Sequence, residues 1–159
     1  MLYVRDADRT AAFYEDVLDF VRLVTLPGAV FMRAPGSTND HDLGLFSIGE
    51  GAGVSEAGRQ TVGLYHLAWE VDTLDDLERL RAKLSEAGAL VGESDHGTTK
   101  SLYAHDPDGS EFELAWIIPA TLLDDETRAS KASVQPLDLD KEMARYGRTT
   151  KGGVGISMP

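Results

Sequence analysis

The side chains that could do chemistry are His66, His96, Tyr103 and Glu113 in the second half of the chain, with His41 ahead of them. His66 opens the strand-like run His66-Leu67-Ala68-Trp69-Glu70-Val71, and Glu113 sits in Glu111-Phe112-Glu113-Leu114-Ala115-Trp116. A neutral imidazole and a carboxylate on neighbouring strands are two of the three ligands of a facial non-haem iron site. The remaining His and Tyr side chains are the acids, bases and donors that oxygen chemistry on a phenol requires. No residue of the sequence matches the third ligand.

Strand alternation decides which way these groups point. His66 shares a face with Ala68 and Glu70, while Leu67, Trp69 and Val71 face the other way into apolar packing. Glu113 alternates against Phe112, Leu114 and Trp116, so it too lies on the polar side; Glu111 is its rival there, nearer the turn. Tyr103 shares a strand face with Ser101 and His105, and the plainer reading is an aromatic that only covers a pocket. His41 follows Asn39-Asp40 and His96 lies in Ser94-Asp95-His96-Gly97, so each also reads as an ordinary loop histidine. For His66 the plain alternative is a hydrogen-bonded surface histidine, and for Glu113 a solvated strand carboxylate.

The elements that carry these groups form a repeat. The first copy gives Tyr3-Val4-Arg5-Asp6, a helix over residues 8–17, then strands near 21–25, 29–32 and 42–46. The second gives Glu70-Val71-Asp72, then Leu74, Leu77, Leu80 and Leu84 at helical spacing, capped by Asp72 or Thr73 and ended by Gly88. Strands follow near 89–91, 100–104 and 111–117, with Asp106-Pro107-Asp108-Gly109 as a hairpin turn. Each copy is thus βαβββ: a first module over 1–48, a linker over 49–63 and a second module over 64–118. Residues 119–159 read as a polar tail that wraps the domain or a partner subunit, with a short helix over 139–145 and a loose Gly152-Gly153 and Gly155; for its last ten residues a wrapped and a disordered end are equal readings. Overlaying Val4 on Val71 puts the counterpart of His66 upstream of Met1. Residues ahead of Met1 are expected to supply the missing ligand; otherwise the site works without it.

Bulk properties narrow the function classes. The 159 residues suit one domain or two small fused modules, and 42% hydrophobic residues can bury a core. A net charge of -12 opposes a nucleic-acid partner and an anionic membrane surface. With no Cys, disulfides, zinc thiolates and thiol nucleophiles are excluded. No leader or spanning run stands out, so a cytoplasmic location is the expectation.

Paired βαβββ modules with Phe13-Tyr14-x-x-Val17-Leu18-x-Phe20, and Asp106-Pro107-Asp108-Gly109 followed by Glu113, resemble the vicinal oxygen chelate superfamily of glyoxalases, bleomycin-resistance proteins and extradiol dioxygenases. The resemblance covers about residues 2–118 and implies an α+β fold in which both modules build a curved, cup-like mixed sheet. The details are most similar to extradiol dioxygenases of the catechol 2,3-dioxygenase type. That resemblance implies His66 and Glu113 as metal ligands, His41 as the acid–base group in His41-Asp42-Leu43-Gly44, and His96 and Tyr103 as substrate-binding residues. It further implies Fe(II), with Mn(II), Ni(II) or Zn(II) as alternatives, a small aromatic diol and O2 as partners, and a homodimer.

Two other readings stand beside it. A glyoxalase-like isomerase or lyase would want a second carboxylate at the end of the first module, where residues 43–50 offer only Glu50, too late in the strand. A metal-free, bleomycin-resistance-type protein would bind a planar molecule in the same cup, and the unmatched third ligand favours it.

Overall fold

The computed structural model describes residues 1–55, 60–130 and 134–153. Residues 56–59 of the expected linker, and 131–133 and 154–159 of the expected tail with Gly155, lie outside them. The elements run β1 (Leu2–Val4), α1 (Ala7–Leu18), β2 (Val21–Leu26), β3 (Ala29–Arg33), β4 (Leu43–Ser47), β5 (Leu67–Glu70), α2 (Leu74–Glu86), β6 (Leu90–Asp95), β7 (Thr99–His105) and β8 (Glu111–Ile117). A 3-10 turn (Ala120–Leu122), α3 (Asp125–Ser130) and α4 (Leu139–Tyr146) follow. The fold is α+β, with two four-stranded mixed sheets ordered β1-β4-β3-β2 and β5-β8-β7-β6. Contacts divide the chain into two compact units: Met1–Leu64 with His105–Ser110, and Tyr65–Ala104 with the chain from Glu111 onward. Among the described residues no helix is long and apolar enough to cross a membrane.

In the first unit Asp6 starts α1 by accepting the Asp8 and Arg9 N–H groups at 2.9 and 3.0 Å, satisfying donors that the helix leaves open. Ala7, Ala11, Tyr14, Val17 and Leu18 then bury one helix face, and Val4, Val30, Met32, Leu43 and Leu45 are buried along the strands. The opposite sheet face carries a row of edge-to-face rings: Tyr3 on Phe46, Phe46 on Phe31, and Phe31 on His41, with centroids 6.4, 5.7 and 5.3 Å apart.

The second unit repeats the plan. Thr73 caps α2 by accepting the Asp76 N–H at 3.1 Å. The four leucines Leu74, Leu77, Leu80 and Leu84 are buried along one face of α2, each worth about 1.5–3 kcal/mol of apolar burial. Leu102, Ala104, Phe112, Leu114 and Trp116 form the matching inner face of the sheet. Both modules even share a bulge, between Arg22 and Val24 in the first and between Leu90 and Gly92 in the second.

Two features exceed the sequence expectation. β6 continues through Ser94 and Asp95, although Gly92-Glu93-Ser94-Asp95 has poor strand propensity. Its pairing with β7 and an isolated bridge from Asp95 to Gln135 supply the order that propensity does not. Gly152 and Gly153 are not loose. Their N–H groups donate to Asp72 and Ile117 carbonyls at 2.7 and 2.9 Å. A Cβ on Gly153 would lie 2.9 Å from Pro119 Cα, so the approach needs glycine.

Candidate active site

Register builds the site on one face of the second sheet. β5 runs parallel to β8 with Ala68 opposite Glu113. His66, two positions before Ala68 and just ahead of β5, lies on the same face, level with Glu111, and its side chain reaches diagonally to Glu113. The distance from His66 Nε2 to Glu113 Oε2 is 3.2 Å, with the side chains 23% and 15% exposed, so solvent screens the pair only in part. β7 brings Ser101 and Tyr103 to the same carboxylate. The Ser101 hydroxyl donates to Glu113 Oε1 at 2.5 Å, and the Tyr103 hydroxyl donates to that oxygen at 3.4 Å.

His96, at the end of the β6–β7 hairpin, leans back over the sheet, with Nε2 2.8 Å from the Tyr103 hydroxyl. The His66 ring meets the Tyr103 ring edge-on at 5.9 Å, and Tyr65 covers the other side of His66 at 4.6 Å. The result is a continuous polar chain: His96, Tyr103, Glu113, His66. Burial, then the negative charge of Glu113, pushes the Tyr103 phenol up to about 12. Tyr103 is therefore a neutral hydrogen-bonding group at physiological pH.

The turn Asp106-Pro107-Asp108-Gly109 joins the two strands that carry Tyr103 and Glu113. Asp106 Oδ1 accepts the Asp108 and Ser110 N–H groups at 2.9 and 2.8 Å, and Gly109 takes a φ of 84°.

His41 is not brought into this chain. It belongs to the first unit, where its Nδ1 lies 2.9 Å from Asp40 Oδ2 and its ring closes the aromatic row on Phe31. Ser101 is the partner that sequence reading leaves without a role. Only its position on the Tyr103 face hints at it, because a hydroxyl on an alternating strand has no motif of its own.

His66 and Glu113 offer the nitrogen and oxygen donors that Fe(II) or Mn(II) takes. Among the described residues His66 Nδ1 is buried without a hydrogen-bond partner, so no contact at that atom fixes the ring's tautomer. Among the described residues no third His, Asp or Glu completes a metal-holding cluster. The residues therefore fit two positions of a facial site and leave the third open. With Val4 overlaid on Val71, the β1–β4 and β5–β8 registers make Gly44 the counterpart of Glu113.

The family model of the glyoxalase/bleomycin resistance protein/dioxygenase superfamily matches residues 1–114. The chain belongs to this superfamily. Over 114 residues, 71% of the chain, it is 30% identical to a catechol-2,3-dioxygenase of Bacillus subtilis (strain 168). Over 106 residues, 64% of the chain, it is 37% identical to biphenyl-2,3-diol 1,2-dioxygenase 3 of Rhodococcus globerulus. These matches span 38% and 53% of the two relatives' own lengths. A solved superfamily domain from Frankia sp. EAN1pec superimposes with a TM-score of 0.60 at 25% identity, covering 74% of this chain and 88% of that one. The superfamily includes ring-opening dioxygenases, lyases and resistance proteins, so membership fixes the fold and leaves the chemistry to the site.

Proposed function

We propose that the chain acts in extradiol ring cleavage, opening a catechol-type aromatic diol with O2 at an Fe(II) site. One observation carries this reading: His66 and Glu113 stand 3.2 Å apart on a face where Tyr103 and His96 extend the same polar chain. The two dioxygenase relatives support it. Fe(II) bound by His66, Glu113 and a further donor would supply the acidity that ionises a bound diol.

The chain's own residues do the rest. Ser101 and Tyr103 hold the Glu113 carboxylate in one orientation from its Oε1 side, leaving Oε2 toward His66. Tyr103 keeps its proton at neutral pH and, with His96 at 2.8 Å, presents an orienting pair to a diol oxygen. The acid–base role falls to His41 by the family resemblance alone; within the first unit its Nδ1 lies 2.9 Å from Asp40 Oδ2. Both atoms of O2 enter the ring-opened semialdehyde, so no external reductant is consumed.

The test is anaerobic reconstitution with Fe(II), addition of a catechol panel, and measurement of dissolved O2 with visible absorbance. Uptake with a yellow product, lost in Glu113→Ala, is the expected result. No uptake across the panel with Fe(II) or Mn(II) overturns the reading. A second reading, a metal-free protein that binds a planar aromatic, is favoured by the two-donor count at the site. It expects calorimetric binding of such a molecule in the presence of a chelator, with Glu113→Ala leaving affinity unchanged.

A further inference from the structure

The β6–β7 hairpin that presents His96 is longer than its counterpart in the first module. Counting two residues on from each bulge, Leu26 pairs with Ala29 across two intervening residues, and Ser94 pairs with Ser101 across six. A long polar hairpin is a poor platform for a residue that must reach Tyr103. The chain after β8 supplies what the hairpin lacks. Asp95 and Gln135 exchange both backbone bonds, at 2.8 and 2.9 Å, which adds a partner to the outer side of β6. The Thr98 carbonyl at the hairpin tip accepts the Ile118 N–H at 3.0 Å.

A buried charge completes the arrangement. Lys100 Nζ lies 2.6 Å from Asp95 Oδ1, donates to the Gly97 carbonyl at 3.2 Å, and lies 2.9 Å from Glu142 Oε2 on α4. The Lys100 and Glu142 side chains are each 3% exposed. Asp95 Oδ1 also accepts the Gly97 N–H at 2.7 Å, so the one lysine ties both flanks of His96 to α4. A buried ion pair adds little net stability over an apolar pair of similar size, and what it contributes is a fixed geometry. The α4 face that carries Glu142 also buries Leu139 and Met143, which by themselves would hold the helix down.

We propose that Gln135 and Glu142 are positioning residues: acting through Asp95 and Lys100, the C-terminal segment fixes the β6–β7 hairpin so that His96 meets Tyr103. The proposal deepens the ring-cleavage reading and rests on it for its catalytic consequence. Its structural content, that α4 controls where the His96 ring sits, stands apart from which reaction the site performs.

The experiment compares the full chain with Glu142→Gln and with the double variant Lys100→Met/Glu142→Leu. Three quantities are read: the His96 imidazole nitrogen signals by NMR, hydrogen exchange at the Asp95 amide, and steady-state kinetics on catechol. In Glu142→Gln the His96 signals shift toward those of Tyr103→Phe and Asp95 exchange accelerates. There kcat falls by roughly 10- to 100-fold, with a smaller change in KM. The double variant regains the melting temperature, because an apolar pair fills the same space. It keeps the displaced His96 signals and the low kcat, because methionine offers no donor to Gly97 or Asp95. Wild-type His96 signals in both variants overturn the proposal and reduce α4 to packing. If the unmodified chain shows no O2 uptake, the ring-cleavage reading fails while the His96 signals still decide the positioning claim.

Discussion

In the first module the cross-strand pair matching Tyr103 and Glu113 is Phe31 and Gly44, directly opposed on β3 and β4. Phe31 belongs to a row of stacked rings, and Gly44 is covered by the Met1 side chain. In the second module the same backbone positions carry a phenol and a carboxylate that face each other at 3.4 Å, with Ser101 and His66 completing the carboxylate's partners. Helix caps, strand order and bulge are shared, so the backbone plan does not itself create a reactive face. Tyr103 for Phe31, Glu113 for Gly44 and Ser101 for Ala29, together with His66 and a hairpin longer by four residues, distinguish the polar face from the aromatic one. This is how one fold comes to carry several chemistries.

The contrast can be broken most decisively at Glu113. Glu113→Ala removes the carboxylate that Ser101, Tyr103 and His66 share, and O2 uptake by the Fe(II)-loaded chain is expected to vanish. Gly44→Ala at the matching position leaves it intact.

Next in size is a stability effect. Leu77, fully buried under the second sheet, is expected to cost about 2–5 kcal/mol when cut to Ala, read as a lower denaturation midpoint. Tyr103→Phe keeps the ring that packs on His66 and His96 and removes only the hydroxyl. A loss on the order of 100-fold in kcat is expected, while the melting temperature moves little.

Gly44→Ala sharpens the other side of the comparison. An added Cβ meets only the flexible end of Met1, at 2.1 Å from Sδ, and Phe31 at an ordinary 3.4 Å. Met1 can swing out, and thermal denaturation should show a change within about 1 kcal/mol, stabilising through the loss of unfolded-chain freedom. The smallest effect concerns the segment docked on the second unit. Asp124 accepts the Thr127 N–H at 2.8 Å and pairs with Arg145 at 2.8 Å, contacts that hold its carboxyl down to about 2. A folded value below the ordinary 3.8 means that its contribution is complete above pH 3.8 and fades as pH falls toward 2. Over that window, the protection of α3 and α4 amides relative to their intrinsic exchange rates should fall in the native chain and change less in Asp124→Ala.

Much of the fold was legible because it depends on local pattern. The leucine spacing from Leu74 to Leu84 marks α2, Thr73 is its cap, and the Asp106-to-Gly109 turn carries its own chemistry. Strand alternation put His66 and Glu113 on a common face. It had no way to give their separation, which depends on the β5–β8 pairing and on the diagonal reach of the two side chains across it. The extension of β6 through Asp95 was not legible, since its support comes from Gln135, 40 residues further on. Ser101 was invisible for a similar reason: its value lies in which carboxylate stands across the ladder.

The sequence by itself determined the two βαβββ modules, the polar character of one sheet face and the residue types that could serve a metal or a phenol. Those features are set by periodicity and turn chemistry, which act within a few residues. The tertiary structure alone decided that His96, Tyr103, Glu113 and His66 form one connected chain, that Ser101 belongs to it, and that Glu142 reaches Lys100 behind it. Each of those contacts joins residues that local pattern treats independently, and only the packing of strands and of the C-terminal helix fixes the distances between them.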